Sequence, residues 1–180
     1  MARNVEIKAR IDDIAAIRPL AELLADDRPI EITQDDTFFR CASGRLKLRV
    51  CAPGEGELIF YQRGNESGPK ESFYLRSPTT SPDTLRESLA AAYGKSGRVR
   101  KQRTVYLVGR SRIHLDVVED LGHFLELEVV LEEGDSIEDG IQEANQLMNA
   151  LGIKESQLVS GAYVDLVRGV QQSDARGRVR

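Results

Sequence analysis

The sequence contains no tryptophan, only two histidines and two cysteines, and no long apolar run. A transmembrane helix needs about 20 consecutive, mostly apolar residues, and charged residues interrupt this sequence far more often than that. We therefore expect no membrane partner. The chain passes from Met1 directly into an alternating charged segment, without the apolar stretch of a secretion signal. The expected location is therefore the cytoplasm.

The scarcity of cysteine limits disulfide bonding to a single pair. Cys41 and Cys51 flank a short predicted turn and could lie near each other. Spacing alone does not establish a disulfide, because the bond requires a specific geometry. We expect two reduced, half-buried thiols.

The chain also has no excess of positive charge, because it contains 25 Lys and Arg against 29 Asp and Glu. A general nucleic-acid-binding protein needs a broad excess of Lys and Arg to contact phosphates, so no nucleic-acid partner is expected. The charges are segregated: basic residues dominate 45–49 and 98–103, whereas acidic residues dominate 11–27 and 131–143. Any site for an anion must therefore be local.

The chain length and composition are those of one ordinary folded domain. A chain of 180 residues, 41% of them apolar, buries roughly two-thirds of its unfolded surface in a single core. No internal repeat or low-complexity linker divides the sequence. We predict one domain over residues 1–170, followed by a polar, arginine-rich tail at 171–180 that is expected to be disordered.

A two-faced strand pattern recurs throughout the sequence. In residues 45–50, Arg45, Lys47 and Arg49 share one face of a strand, and the alternate residues are apolar. Burying three unpaired cations in an apolar core would cost several kcal/mol per ion, so this face must meet water, carboxylates or an anionic ligand. Alternation or β-propensity predicts further strands at 4–11, 31–40, 57–63, 70–76, 97–108, 110–117 and 124–131, and at 97–108 both faces carry basic residues.

Helices are predicted between these strands. Asp12 or Asp13 can cap a helix through residue 24, Ser81 and Pro82 begin one that ends at Gly94, and Ser136 caps one that ends near residue 151. A short final helix is expected around 158–167. Eight antiparallel strands are about enough to close a barrel, and the helices need an apolar surface to cover. We predict an α+β fold: a closed eight-stranded antiparallel β-barrel with a charged interior, covered by helices.

The ionic faces carry residue types suited to phosphate chemistry. Glu126 and Glu128 project two oxygen donors to the same side of a strand, which suits Mg²⁺ or Mn²⁺ bound to phosphates. Lys and Arg can bind the remaining phosphate oxygens. The alternative is a structural barrel in which the same charges form cross-strand ion pairs, each worth about 0.2 to 1 kcal/mol.

Six short motifs in one order resemble those of a known family. They are similar to the successive motifs of the CYTH superfamily, the triphosphate tunnel metalloenzymes, and extend from Asn4 to about Val167. In this sequence the motifs are Val5-Glu6-Ile7-Lys8, Leu46-Lys47-Leu48-Arg49, Val99-x-Lys101-x-Arg103, His114-Leu115-Asp116, Leu121-Gly122-x-Phe124 and Glu126-x-Glu128.

The resemblance implies a tunnel that binds a small-molecule triphosphate end-on with Mg²⁺ or Mn²⁺. Family members include class IV adenylate cyclases, thiamine triphosphatases and inorganic tripolyphosphatases. By position, it assigns metal binding to Glu6, Asp116, Glu126 and Glu128. It assigns substrate binding to Lys8, Arg10, Lys47, Arg49, Arg63, Lys101 and Arg103. Catalytic roles are implied for three of these cations, namely Lys8, Lys101 and Arg103.

The sequence departs from the family pattern at two places. Asn4 stands where the signature Glu-x-Glu-x-Lys has its first glutamate, which predicts weaker binding of a second metal. Either Arg63 or Lys70 replaces a family lysine that follows the strand at 57–63. Of the histidines, His114 is expected to be a wall residue beside a carboxylate, and His123 a turn residue.

The main functional prediction is metal-dependent hydrolysis of an organic or inorganic triphosphate, such as thiamine triphosphate, a nucleoside triphosphate or tripolyphosphate. One alternative is a class IV adenylate cyclase that converts ATP to cyclic AMP and pyrophosphate. Another is a non-catalytic module that binds polyphosphate or a nucleotide, for which the missing glutamate at position 4 is the main support. Homodimer formation is left open.

Overall fold

The computed structural model describes residues 2–64 and 68–177, so part of the predicted loop at 64–69 lies outside the described residues. Strands and helices alternate along the chain, with a 3₁₀ turn at Glu155–Gln157. The strands are β1 (Ala2–Arg10), β2 (Ile30–Phe39), β3 (Arg45–Ala52), β4 (Glu55–Arg63), β5 (Lys70–Thr79), β6 (Lys95–Val108), β7 (Ser111–Val118) and β8 (Gly122–Leu131). The α-helices are α1 (Ile14–Leu24), α2 (Pro82–Tyr93), α3 (Ile137–Ala150) and α4 (Tyr163–Gly177).

The eight strands close into one antiparallel barrel, which confirms the predicted fold. Their order around the barrel is β1-β5-β4-β3-β2-β6-β7-β8, and β8 pairs with β1 to complete the ring. Closure leaves no strand edge unpaired, so the backbone hydrogen bonds of the sheet are satisfied within the barrel.

The apolar faces of the strands point outward and are covered by helices. Val5, Ile7 and Ala9 of β1 are buried together with apolar residues of β7 and β8 beneath α1 and α3. The caps of these helices form as predicted: Asp13 accepts from the Ala15 amide at 2.9 Å, and Ser136 accepts from the Asp139 amide at 3.0 Å. Because the core lies between the sheet and the helices, the ionic faces point into the barrel.

A second apolar cluster closes one end of the barrel. It joins Phe38, Val99 and Phe124 of the strands to Ala162, Tyr163 and Val164, where α4 begins. Gly97 permits this close approach, because a Cβ at that position would lie 2.4 Å from Cγ2 of Val164. The first residues of α4 therefore pack directly against this end of the barrel.

The C-terminal segment differs from its prediction in two respects. No helix forms at 158–162, because this backbone pairs with β1: Leu158 bridges Ala9, and the Val159 amide donates to the Lys8 carbonyl at 2.9 Å. The final helix, α4, instead begins at Tyr163 and continues to Gly177.

The expectation of disorder from residue 171 is therefore wrong for 171–177, and residues 178–180 lie outside the described part. Glutamine, alanine and arginine are good helix formers, so a polar composition did not prevent helix continuation. Among the described residues, no helix combines the length and apolar character needed to cross a bilayer.

The expectation that the two thiols are half-buried is also wrong, and the two cysteines do not lie near each other. Both thiols are exposed. Cys41 precedes β3, whereas Cys51 lies near its far end. The strand segment from Arg45 to Cys51 spans about 20 Å at the usual rise per residue. A disulfide would require Cα atoms within about 7 Å of each other.

Candidate active site

The barrel encloses a cavity of about 430 Å³, and all eight strands contribute to its wall. The charge of this wall is opposite to that of the chain, whose net charge is −4. Eight Lys and Arg side chains face four carboxylates. The cations are Lys8, Lys47, Arg49, Arg63, Arg76, Lys101, Arg103 and Arg112, and the carboxylates are Glu6, Asp36, Glu126 and Glu128.

Asp116 organises the cations on β6. Its side chain is fully buried and accepts hydrogen bonds from Lys101 Nζ at 2.9 Å, from Arg103 Nε at 2.7 Å and Nη2 at 2.6 Å, and from the Tyr163 hydroxyl at 2.9 Å. Burial alone would raise the pKa of the Asp116 carboxyl, but Arg103 and Lys101 hold it well below its usual range.

These contacts occupy both oxygens of Asp116, which lies behind the cavity wall. The prediction that Asp116 binds the metal is not supported, because no oxygen of its carboxylate is presented to the cavity. The structure instead indicates that Asp116 fixes the positions of Lys101 and Arg103.

Glu126 bridges the cations of β1 and β6. Its Oε1 lies 3.1 Å from Lys8 Nζ, and its Oε2 contacts Arg103 and lies 3.9 Å from Lys101 Nζ. Burial would raise the pKa of Glu126, but Lys8, Lys101 and Arg103 together lower it well below its usual value. Glu126 is therefore ionised, and both of its oxygens already contact cations.

Lys8 occupies the buried end of this cluster. Its ammonium donates to the Gly161 carbonyl at 3.3 Å and lies 3.9 Å from the centre of the Tyr163 ring. Burial lowers the pKa of Lys8 to about 8, although the charge of Glu126 acts in the opposite direction. The partners of the ammonium are therefore Glu126, the Gly161 carbonyl and the face of the Tyr163 ring.

Oxygen donors are concentrated where β1 meets β8. Glu6 and Glu128 lie directly opposite each other in the register, an arrangement that is unfavourable for like charges unless cations offset it. Arg63 contacts Glu6, while Arg112 Nη1 lies 3.5 Å from Glu128. The buried Oδ1 of Asn4 lines the same cavity and has no hydrogen-bond partner among the described residues.

These donors fit a hard divalent cation. Carboxylate and amide oxygens are the ligands that Mg²⁺ and Mn²⁺ prefer, and the opposed pair of Glu6 and Glu128 would gain from a cation between them. Within residues 2–64 and 68–177, no three acidic, histidine or cysteine side chains are already grouped as a ligand set. Metal binding would therefore compete with the ion pairs that now hold Glu6, Glu126 and Glu128.

A second cationic group lies on β3. Asp36 accepts from Lys47 Nζ at 2.8 Å and from Arg49 through two bonds of 2.8 Å each. Burial and the neighbouring charge of Arg49 together lower the pKa of Lys47 to about 7, although Asp36 acts in the opposite direction. Lys47 and Arg49 therefore share one carboxylate and carry a net positive charge toward the cavity.

The structure separates the remaining predicted cations. Arg63 lines the cavity and donates to the Gly161 carbonyl at 2.8 Å, whereas Lys70 is buried opposite Glu6 in the β1–β5 register. Arg63 is therefore the better candidate to replace the family lysine. Arg10 is not brought to the cavity: it is exposed, donates to the Leu121 carbonyl at 2.8 Å and lies over the Phe124 ring.

The prediction placed Arg10 in the cavity because the strand pattern does not show where the cavity ends. β1 continues past the end of the barrel that α4 closes, so its last inward-facing position lies outside the closure. The alternating pattern is uninterrupted through Arg10, and it carries no signal for where the tunnel ends.

His114 occupies the kind of position that was expected, whereas His123 lies in β8 and not in a turn. His114 is buried in the wall, with its ring nitrogens 4.0 Å from Glu126 and 3.9 Å from Glu128. Burial and the charge of Arg103 lower the pKa of His114, which favours the neutral ring. His123 lies at the start of β8, with Nδ1 3.2 Å from the Asp12 carbonyl.

Two residues with central contacts were absent from the predicted site. Asp36 had no clear signal, because the predicted strand carries an aspartate on each face, Asp35 and Asp36, and only the structure shows that Asp36 points inward. Tyr163 had none: it follows the last strand and reaches Lys8, Lys101 and Asp116 through the tertiary packing of α4.

Comparison with known proteins agrees with this architecture. The family model described as CYTH domain matches residues 2–163. The chain is also 25% identical over 168 residues to adenylate cyclase CyaB of Aeromonas hydrophila, with 89% of this chain and 86% of that protein covered.

Solved structures share the fold at low sequence identity. PH1012 of Pyrococcus horikoshii has a TM-score of 0.79 at 22% identity, covering 91% of this chain and 98% of its own. A conserved protein of Pyrococcus furiosus gives 0.78 at 20%, with coverage of 91% and 99%. HpAC1 from Hippeastrum, for which a dominant triphosphatase activity is described, gives 0.64 at 19%, with coverage of 88% and 91%.

The family match spans all eight strands of the barrel and ends at the first residue of α4. It confirms the resemblance drawn from the six sequence motifs. The chain belongs to the CYTH domain family.

Proposed function

We propose that this protein is a metal-dependent enzyme that binds a triphosphate inside the barrel and hydrolyses it. CYTH proteins are triphosphatases or class IV adenylate cyclases. One observation carries the proposal for this chain: an acidic protein folds so that cations outnumber carboxylates two to one around an internal cavity.

This excess of positive charge is costly without an anion. Removing an ammonium or guanidinium from water costs several kcal/mol per ion after relaxation. The lowered pKa values of Lys8 and Lys47 have this desolvation as their largest cause. A polyphosphate would offset the uncompensated charges, and the side chains would need little reorganisation because ion pairs already hold them.

The contacts suggest a division of roles among the cations. Lys47 and Arg49, which share Asp36, would bind phosphate oxygens in the ground state. Lys101 and Arg103 are fixed by Asp116 and, together with Lys8, surround Glu126. These three cations would offset the charge that develops on the phosphoryl oxygens during transfer.

Glu6, Glu126 and Glu128, with the Asn4 oxygen, would hold the divalent metal. When bound, Mg²⁺ or Mn²⁺ supplies Lewis acidity and lowers the pKa of an attacking water. Asn4 contributes a neutral oxygen where the family pattern has a carboxylate, so a second metal would bind more weakly.

In the proposed reaction, a water oxygen forms a bond to the terminal phosphorus and the bridging P–O bond breaks. Orthophosphate and the shortened phosphate chain leave, and the released proton passes to solvent.

The test is incubation of the purified protein with Mg²⁺ or Mn²⁺ and, separately, tripolyphosphate, ATP and thiamine triphosphate. Release of orthophosphate supports hydrolysis.

Adenylate cyclase activity is the second candidate, because the chain resembles adenylate cyclase CyaB of Aeromonas hydrophila along most of both lengths. Attack by the ribose 3′-hydroxyl on the α-phosphorus would give cyclic AMP and pyrophosphate in the same incubation with ATP.

Tight triphosphate binding without release of orthophosphate or cyclic AMP would support the non-catalytic binding module. An absence of triphosphate binding would favour a purely structural barrel.

Replacing Lys47 or Arg49 by alanine is expected to raise KM for the triphosphate about tenfold to a hundredfold with a small change in kcat. Each side chain would make a charge-assisted hydrogen bond worth about 1.5 to 3 kcal/mol, present equally in the ground and transition states. Steady-state kinetics measure the split. Arg98→Ala is the matched control, because Arg98 pairs with Asp35 on the outer face. An unchanged KM in both cavity variants would remove these residues from the phosphate site.

Triphosphate affinity is expected to weaken as the pH rises above 7. The pKa of Lys47 is about 7, so its ammonium is charged below this pH and loses its proton above it. A bound anion favours the charged form and raises this pKa, so binding takes up a proton and its favourable contribution declines between pH 7 and 9. In Lys47→Arg, the guanidinium stays protonated, and the dependence should flatten.

Calorimetric titration with a non-hydrolysable triphosphate analogue measures the dissociation constant across this range. The difference between the wild type and Lys47→Arg removes the ionisation of the ligand itself from the comparison. Parallel pH profiles for the two proteins would contradict the assignment to Lys47.

A further inference from the structure

Gln34 is a buried polar residue of the cavity wall that the proposed phosphate chemistry does not use. It lies on the inward face of β2, lines the cavity and is 5% exposed. Its Oε1 has no hydrogen-bond partner among the residues that the structure describes. Buried polar groups in folded proteins are nearly always hydrogen-bonded, because an unpaired one destabilises the fold. An exception in a cavity wall indicates that a ligand or an ordered water completes the bonding.

Gln34 lies between the two cationic groups of the cavity. β2 is the strand between β3, which carries Lys47 and Arg49, and β6, which carries Lys101. Gln34 is directly opposite Lys101 in the β2–β6 register. The next inward residue of β2, Asp36, binds Lys47 and Arg49. The shortest path along the wall from one cationic group to the other therefore passes the inner face of β2.

The two cationic groups act on each other across β2. Burial, Arg103 and Arg49 lower the pKa of Lys101, against the opposing charges of two carboxylates. Burial and Arg49 lower the pKa of Lys47, and Lys101 contributes from the other group, although Asp36 acts in the opposite direction. Since each group lies within the field of the other, one anionic chain can offset the charge of both.

A neutral amide has the chemistry that this position requires. A carboxylate here would pair with Lys101 and cancel positive charge that attracts a phosphate, and an apolar side chain would offer no hydrogen bond. An amide has two N–H donors and a carbonyl acceptor, and its last torsion is broad. The nitrogen of Gln34 can therefore donate to a phosphate oxygen, which only accepts, while its oxygen faces the ammonium of Lys101.

We propose that Gln34 binds the central phosphate of a triphosphate. The proposal rests on the proposed function, in which the cations of β3 hold one part of the phosphate chain and those of β6 act on the transferred phosphate. A chain that reaches from one group to the other places its central phosphate beside β2. The amide of Gln34 then donates to an oxygen of this phosphate and fixes the chain between the two groups.

This role makes Gln34 a determinant of chain length. A diphosphate has no central phosphate, so it can occupy one cationic group without using the amide of Gln34. The side chain should therefore contribute to the affinity for a triphosphate and contribute little to the affinity for a diphosphate. A residue that only supports the barrel would affect the binding of both ligands alike.

The test measures two ligands that resist cleavage, the bis-methylene analogue of tripolyphosphate and methylenediphosphonate, by calorimetric titration with Mg²⁺ present. Gln34→Met keeps the length of the side chain and removes its hydrogen bonds. Its dissociation constant for the tripolyphosphate analogue is expected to rise about tenfold to a hundredfold, the effect of losing one hydrogen bond to a charged group. The dissociation constant for methylenediphosphonate should change by less than about twofold.

Gln34→Glu has the same shape as the wild-type side chain and the opposite bonding character. The ionised carboxylate has no donor and repels a phosphate. Its dissociation constant for the tripolyphosphate analogue should therefore rise at least as much as that of Gln34→Met. Gln102→Met is the matched control, because Gln102 is exposed on the outer face of the neighbouring strand β6, and it should leave both dissociation constants unchanged.

Thermal unfolding distinguishes a binding role from a structural one. Because Oε1 of Gln34 has no partner to lose within the described part of the chain, Gln34→Met should unfold at the wild-type temperature or above it. A lower unfolding temperature would instead assign Gln34 a structural role.

The outcomes also separate this inference from the proposed function. An unchanged affinity of Gln34→Met for the tripolyphosphate analogue would mean that water alone satisfies the amide, and would overturn the inference. Equal weakening of both ligands, or a wild type that does not bind methylenediphosphonate, would overturn the assignment to the central phosphate. If the wild type does not bind the tripolyphosphate analogue, the proposed function fails, and this inference fails with it.

Discussion

In the Glu126→Gln protein, metal-dependent triphosphate turnover is expected to fall at least about a hundredfold. The amide keeps the shape of the side chain but loses the charge that attracts a divalent cation, whose contribution to phosphoryl transfer is several kcal/mol. Glu126 also offsets Lys8 and Arg103, so its neutralisation increases the positive charge of the cavity. KM for the triphosphate should therefore stay constant or fall.

The measurement is orthophosphate release at saturating substrate over a range of Mg²⁺ concentrations. Glu128→Gln should behave similarly, because Glu128 faces Glu6 across the strand pair. Glu119→Gln is the control, since Glu119 pairs with Arg100 on the exposed outer surface. Urea unfolding should show that all three variants are folded. Full activity in both cavity variants would remove the two glutamates from the site.

Asp116→Ala is expected to lower the free energy of unfolding by about 3 to 5 kcal/mol, the usual cost of removing one partner from a buried ion pair. Asp116 is fully buried and neutralises Lys101 and Arg103. Its removal would leave those cations with Glu126 as their remaining acidic contact within the described residues. Activity should fall as well, because the positions of both cations depend on this carboxylate.

Urea denaturation of the variant and the wild type measures the difference. Asp35→Ala is a matched control, since Asp35 binds Arg98 on the outer face of the same barrel, where side chains are half-exposed. An exposed ion pair contributes at most about 1 kcal/mol. A loss below that value in Asp116→Ala would contradict the structural role assigned to this residue.

Much of the cavity wall could be predicted from local alternation. Lys47 and Arg49, Lys101 and Arg103, and Glu126 and Glu128 are pairs on one face of a strand, and a strand has only two faces. On the strands of the first and third pairs the opposite faces are apolar, and since the predicted helices needed an apolar surface, the inward direction of these charges followed. Opposite the second pair the strand carries Arg100 and Gln102, so alternation alone did not give its direction. The structure places all six of these side chains in the wall.

Contacts between distant parts of the chain could not be predicted in the same way. The alternation places Asp116 on the same face as His114, and nothing in the sequence distinguishes a carboxylate that faces the cavity from one whose oxygens are filled by Lys101, Arg103 and Tyr163. The role of Asp36 also depends on β2 being adjacent to β3 and on which face of β2 points inward.

The sequence by itself determined which side chains share a strand face, and through the order of its motifs it determined the family. Both are properties of neighbouring residues, since backbone geometry sets the two-residue period. Only the tertiary structure decided where the tunnel ends and which carboxylates remain accessible. The start of α4 covers Lys8 but leaves Arg10 outside, and the barrel closure brings Glu6 opposite Glu128. Those positions depend on packing between elements far apart in the chain.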